Sequence, residues 1–248
     1  MQAKHREEDY QSLVSLSRRV QSYQLAQLQE DVAAASAWEP LKDLEAVHRH
    51  VQRLEFARDV CAALVIFSSQ RGYNVNQGDL PNYQSEDEEK SSIKGCGVTY
   101  CQSLLVLAFH LQLPYSSPGA GGMTGSTAFW LLYTLIGSRT NGAYRDYFGT
   151  PSTTRPRAGS AAAEDVLLLK CALVMHEPEL LVHLNCLGFQ LAGVFLPAFT
   201  QWFARMLPLS SLFQLWDLLL AETTNPDAFP NARHGLVEFA FGVLRLVR

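Results

Sequence analysis

Nowhere in this chain does a run of alternating apolar and polar residues mark a half-buried strand, and no Asn-Gly turn joins two such runs. Apolar side chains recur instead at intervals of three and four, the period of a helix with one face turned inward. Over residues 11–34, Leu13, Leu16, Val20, Tyr23, Leu25 and Leu28 fall near that spacing. Residues 41–68 repeat the pattern with Leu44, Val47, Val51 and Leu54, and they close on the apolar run CAALVIF at 61–67. Pro40 separates the two segments and suits the first position of the second helix. Further helical stretches are expected at 98–113, 128–137, 161–176, 179–206 and 210–222, with a last one from about 231. The fold class this predicts is all-α, with about ten or more helices and no significant sheet.

Apolar residues make up 48% of the 248 positions and charged residues 18%, so one large core is available and disorder throughout is excluded. We expect a single domain over 1–248. The segment 69–95 reads as a long polar insertion carrying the acidic run Glu86-Asp87-Glu88-Glu89, and 148–160 as a Pro/Ser/Thr loop. A net charge of −4 argues against nucleic acid as a partner, because phosphate backbones demand a concentrated basic surface. Five cysteines, an odd number, fit reduced thiols better than a disulfide framework. The first thirty residues have no apolar signal core, and no run approaches eighteen uninterrupted apolar residues. The expectation is a cytoplasmic protein with no direct membrane insertion.

Small-molecule sites find no support. In PGAGGMTGST, Gly125 is followed by Ser126 with no Lys, so the lysine that a phosphate-binding P-loop needs is missing. Cys96 and Cys101 are too far apart for a paired zinc motif and no second pair follows, and His183 with Cys186 reads as ordinary helix surface. No GxSxG, HExxH or Cys/His constellation appears, so no metal site is expected.

Two stretches carry a family pattern: GVTYCQSLLVLAFHL at 97–111, and residues 178–222. In the second, Pro178, Leu180, His183, Leu184, Trp202, Phe203, Leu207, Pro208, Trp216 and Asp217 follow one another in the order "P-x-L-x-x-H-L, WF, LP, WD". AFWLLYTLI at 128–136 matches an aromatic helix between them. Together they resemble the TBC (Tre-2/Bub2/Cdc16) domain of Rab GTPase-activating proteins, most strongly over 55–225, with residues 1–54 divergent and an RxxxW motif missing. Trp202, Phe203 and Trp216 read as core packing, and Asp217, amid LFQLWDLLL, as a carboxylate edging an apolar interior that a backbone N–H or an Arg must satisfy.

The resemblance implies a protein that acts on the GTP of a GTP-bound Rab-family GTPase, with GTP and Mg²⁺ held by the partner and no cofactor of its own. In that family an Arg from IxxDxxR neutralises charge on the transferring phosphoryl group, and the Gln of YxQG orients the attacking water. Gln102 matches the Gln, flanked by Tyr100, Cys101 and Ser103, where Ser103 stands in place of Gly. The Arg has no counterpart. The best pattern match, Leu28 to Ala34, keeps Asp31 but ends in Ala34; counting back without gaps lands at Lys42 and Asp43 instead. Arg49, Arg53 and Arg71 are the candidates to compensate from a shifted backbone. Two readings stay open: a Rab-binding domain with weak, unconventional or absent GTPase activation, and a scaffold within a membrane-trafficking assembly that uses 69–95 and 151–157 as docking elements.

Overall fold

The structure, a computed structural model, describes residues 2–20, 22–35, 44–69, 98–112, 123–136, 144–148, 161–224 and 234–246. Among the described residues there are eleven helices and no strand: α1 Gln2–Ser17, α2 Tyr23–Ala35, α3 Leu44–Ser69, α4 Gln102–Leu111, α5 Gly125–Ile136, α6 Arg145–Phe148, α7 Ala161–His176, α8 Pro178–Cys186, α9 Leu191–Thr200, α10 Leu209–Thr224 and α11 His234–Leu246. The all-α expectation holds. The polar insertion at 69–95, the 148–160 loop, Lys42, Arg71 and Cys96 fall wholly or almost wholly outside the described residues.

Helix α3 is the axis of the N-terminal half, packed against α1, α2, α4 and α5. Its last turns are buried on every side: Val60, Cys61, Ala62, Ala63, Leu64, Val65 and Ile66 all lie in the core. Helix α4 is the same, with Leu104 to Phe109 and Leu111 buried. A helix that is apolar all round has no face to offer water and takes a central place. Each such Leu or Val contributes roughly 1.5–3 kcal/mol relative to exposure. In the C-terminal half α7 plays the corresponding part against α8, α9 and α11, with α6 lying between α5 and α7.

Two predicted helices are each broken. The 11–34 segment stops at Ser17, where Arg19 and Val20 both donate backbone N–H to Leu16 O, and restarts when Ser22 Oγ accepts the Leu25 N–H at 3.2 Å. Ser22 is thus an N-cap that the apolar period conceals. The 179–206 segment breaks at Gly188, whose φ of +72° ends α8, while Phe189 N–H reaches back to Leu184 O at 2.9 Å. That is a glycine C-cap, and α9 leaves it bent 108° from α8. A second turn follows α9, where Trp202 and Phe203 take φ of 46° and 60°. Two successive left-handed non-glycine residues are strained unless their surroundings hold them. Both rings are buried, and Trp216 Nε1 donates to Trp202 O at 2.9 Å, fixing the turn onto α10.

Candidate functional site

The stretch that enters α4 is built by residues far apart in sequence. Thr99 N–H pairs with Phe148 O at 2.8 Å, which keeps the chain extended ahead of the helix. Tyr100 is clamped twice by α2: its backbone N–H donates to Gln24 Oε1 at 2.9 Å, and its hydroxyl donates to Asp31 Oδ2 at 2.8 Å. Gln27 Nε2 also reaches the Asp31 carboxylate, at 3.4 Å. Burial, and next the bond to Asp31, push the Tyr100 hydroxyl well above the usual tyrosine range. It therefore donates and does not ionise at neutral pH.

Cys101 takes extended backbone (φ −146°, ψ 158°) and forms the N-cap position of α4. Burial raises its thiol, while the N–H groups of Leu104 and Ser103 oppose the rise. Gln102 is the first residue of α4, and its side chain is exposed. Ser103 Oγ donates to Thr200 Oγ1 at 3.1 Å, and Thr200 Oγ1 donates on to Leu196 O and Pro197 O. The helix start is therefore pinned on one side to α2 through Tyr100 and on the other to the end of α9 through Ser103, while Gln102 between them points to solvent.

Asp31, paired with Tyr100, places α2 beside this turn. Ala34 lies three residues further along α2 and is exposed. Side chains three apart on a helix are neighbours, their Cβ atoms about 5–6 Å apart. An arginine at 34 would spring from the side of α2 that Tyr100 meets, but alanine offers a methyl group and no charge.

Arg53 lies elsewhere. Its guanidinium sits 6.0 Å from the centre of the Phe109 ring, and His50, one turn before it, meets Ala35 O at 3.1 Å through Nε2. Phe109 is seven residues beyond Gln102, about 10 Å along the axis of α4 at ~1.5 Å per residue. Arg53 is thus placed toward the other end of that helix, and the exposed Arg49 belongs to the same turn of α3. The structure gathers Gln102, Tyr100, Cys101 and Ser103 at the start of α4, while Ala34, next to the Ala35 that His50 meets, lies toward the Phe109 end where the two arginines stand.

Trp202 and Trp216 are interior. Trp202 and Trp216 pack ring to ring at 6.1 Å with planes 86° apart, and Tyr144 lies 4.8 Å from Trp202. Asp217 corrects the sequence reading: it is exposed and edges no apolar interior. The next position after an inward Trp216 turns about 100° around the helix, enough to bring the carboxylate to water. Sequence reasoning missed Gln24 and Thr200, which no motif marks. Among the described residues no group of three His, Cys, Asp or Glu side chains is placed to hold a metal ion, and no single helix is long and apolar enough to cross a membrane.

Compared with known proteins, residues 92–246 match the family model described as the Rab-GTPase-TBC domain. The match spans more than half of the chain and takes in both the Gln102 turn and the buried tryptophan turn, while α2, with Asp31 and Ala34, precedes it. No curated protein and no solved structure matches the chain significantly.

Proposed function

The chain belongs to the Rab-GTPase-TBC domain family, and from that premise we propose that it engages a GTP-bound Rab-family GTPase through the surface where α2 meets the start of α4. The observation that carries the reading is Gln102, exposed on the first turn of α4 between two anchored neighbours, Tyr100 and Ser103. A carboxamide held there without a structural bond of its own is free to donate to and accept from a water lined up on a partner's γ-phosphate. GTP and Mg²⁺ belong to that partner, and the chain brings no cofactor. Anchoring of the flanks lowers the entropy lost when the side chain docks.

Charge neutralisation is the weak half of the device. The Asp31–Tyr100 bond favours the alignment that puts the arginine position at Ala34. An arginine finger contributes about 10³–10⁵ in rate, or roughly 4–7 kcal/mol of transition-state stabilisation. With alanine there, GTPase activation is weak or absent, and binding outlasts catalysis. The protein then works in the cytoplasm and reaches membranes through the GTPase it binds.

A second reading has its own support in large apolar side chains left exposed on α7, on α8 and just after it, with Met175 74%, Val182 61% and Leu187 68% accessible. Under it the domain is a docking unit of a trafficking assembly. Capture of GTP-loaded and GDP-loaded Rab proteins on the purified chain separates the two. Preference for the GTP form, lost in Gln102→Ala, upholds the first reading; capture of no Rab, or capture indifferent to nucleotide and to Gln102→Ala, overturns it.

A further inference from the structure

Arg49 and Arg53 stand one turn apart on α3 with Gln52 between them, and together with Gln112 after α4 and Met123 before α5 they line a cleft of about 200 Å³. Residues four apart share a helix face, so both guanidiniums address the same space. None of the described residues that line the cleft is a carboxylate. Ion pairs among the described residues include Arg18–Asp59, Arg58–Asp59 and Arg245–Glu177, and neither Arg49 nor Arg53 takes part in one of these. Arg53 is steadied by the Phe109 face, which restricts its rotamers while leaving its N–H groups unused.

A second, separate sign of incompleteness is Gln112. Its Oε1 is buried without a hydrogen-bond partner. The two guanidiniums and the amide of Gln52 form a donor-rich wall to the cleft. In a chain of net charge −4 such a patch is a local reversal of sign.

We infer that this cleft binds a phosphate group, either of a soluble organic phosphate or of a phosphorylated lipid headgroup. Two guanidiniums balance the −1.5 to −2 charge of a phosphate monoester near neutral pH, whereas a single carboxylate leaves one of them uncompensated. The planar forks of arginine also match phosphate oxygens in pairs. The cleft lies at the opposite end of α4 from Gln102, so its phosphate binding does not depend on that side chain.

Titration calorimetry on the full chain with inorganic phosphate and a soluble inositol phosphate tests the inference. It is paired with sedimentation on phosphatidylcholine vesicles with and without a phosphatidylinositol monophosphate. Exposed Arg49→Gln keeps the fold and is the decisive variant; Arg53→Gln is accompanied by thermal unfolding because it also loses its place on Phe109. Each loss of a guanidinium weakens phosphate binding roughly tenfold to a hundredfold, and Gln102→Ala leaves it unchanged. Sedimentation only with phosphorylated headgroups assigns the lipid source, and soluble-phosphate binding without sedimentation assigns the soluble one. Absence of binding to every probe, or equal binding by wild type and Arg49→Gln, overturns the site.

Discussion

Replacing Tyr100 with phenylalanine removes one oxygen atom and tests whether α2 is held to the start of α4 as described. The ring is buried and phenylalanine keeps its packing, so the change isolates the 2.8 Å bond to Asp31 Oδ2. A hydrogen bond to a charged group contributes about 1.5–3 kcal/mol. Asp31 is only half-buried and keeps Gln27 at 3.4 Å, so water recovers part of this. The expected cost is about 1–2 kcal/mol, or roughly 2–8 °C in Tm for a chain of this size. Urea denaturation followed by the fluorescence of the buried Trp202 and Trp216 reads it. Combining Tyr100→Phe with Asp31→Asn in a double-mutant cycle gives the coupling directly, expected near 1 kcal/mol. A Tyr100→Phe cost below about 0.5 kcal/mol, or strictly additive mutants, refutes the clamp of α2 on the entry to α4.

Other consequences follow from the same packing. Trp216→Phe orphans the Trp202 carbonyl on its left-handed turn and should cost about 1–3 kcal/mol in urea denaturation. Tyr10 and Tyr100 are both held above their ordinary range, first by burial; the unfolded chain therefore ionises first, and stability falls as pH rises past about 10. Alkaline unfolding is less steep in Tyr100→Phe than in wild type. Brief alkylation of the native protein at pH 8 labels the exposed Cys171 and Cys186, while Cys61, buried and with its thiol raised by burial, reacts only after unfolding, as peptide mass spectrometry reports.

Much of the architecture is legible in the sequence because helical period and apolar density suffice for it. The run at 61–67 and the apolar 104–111 announce central helices without any tertiary information. What stays hidden depends on single polar atoms or on backbone signs. Ser22 ends one apolar series and starts another, and Gly188 does the same through a positive φ. Trp202 and Phe203 read as helix by composition, yet they form a turn because neighbouring aromatics and Trp216 Nε1 hold their unusual backbone. The motif locates Gln102, but the partnership of Tyr100 with Gln24 and Asp31 spans 76 and 69 positions, and no local spacing encodes it. Asp217 shows the reverse error: apolar neighbours in sequence do not make a residue inward-facing on a helix.

Single-turnover GTP hydrolysis by a panel of GTP-loaded Rab proteins, with wild type, Ala34→Arg and Gln102→Ala compared, tests the central claim most directly. The account predicts that wild type accelerates hydrolysis by no more than about tenfold, that Ala34→Arg raises the rate of a bound Rab toward 10³-fold, and that Gln102→Ala abolishes both effects. Acceleration of 10³-fold by wild type, or no response to Ala34→Arg on a Rab that demonstrably binds, contradicts it.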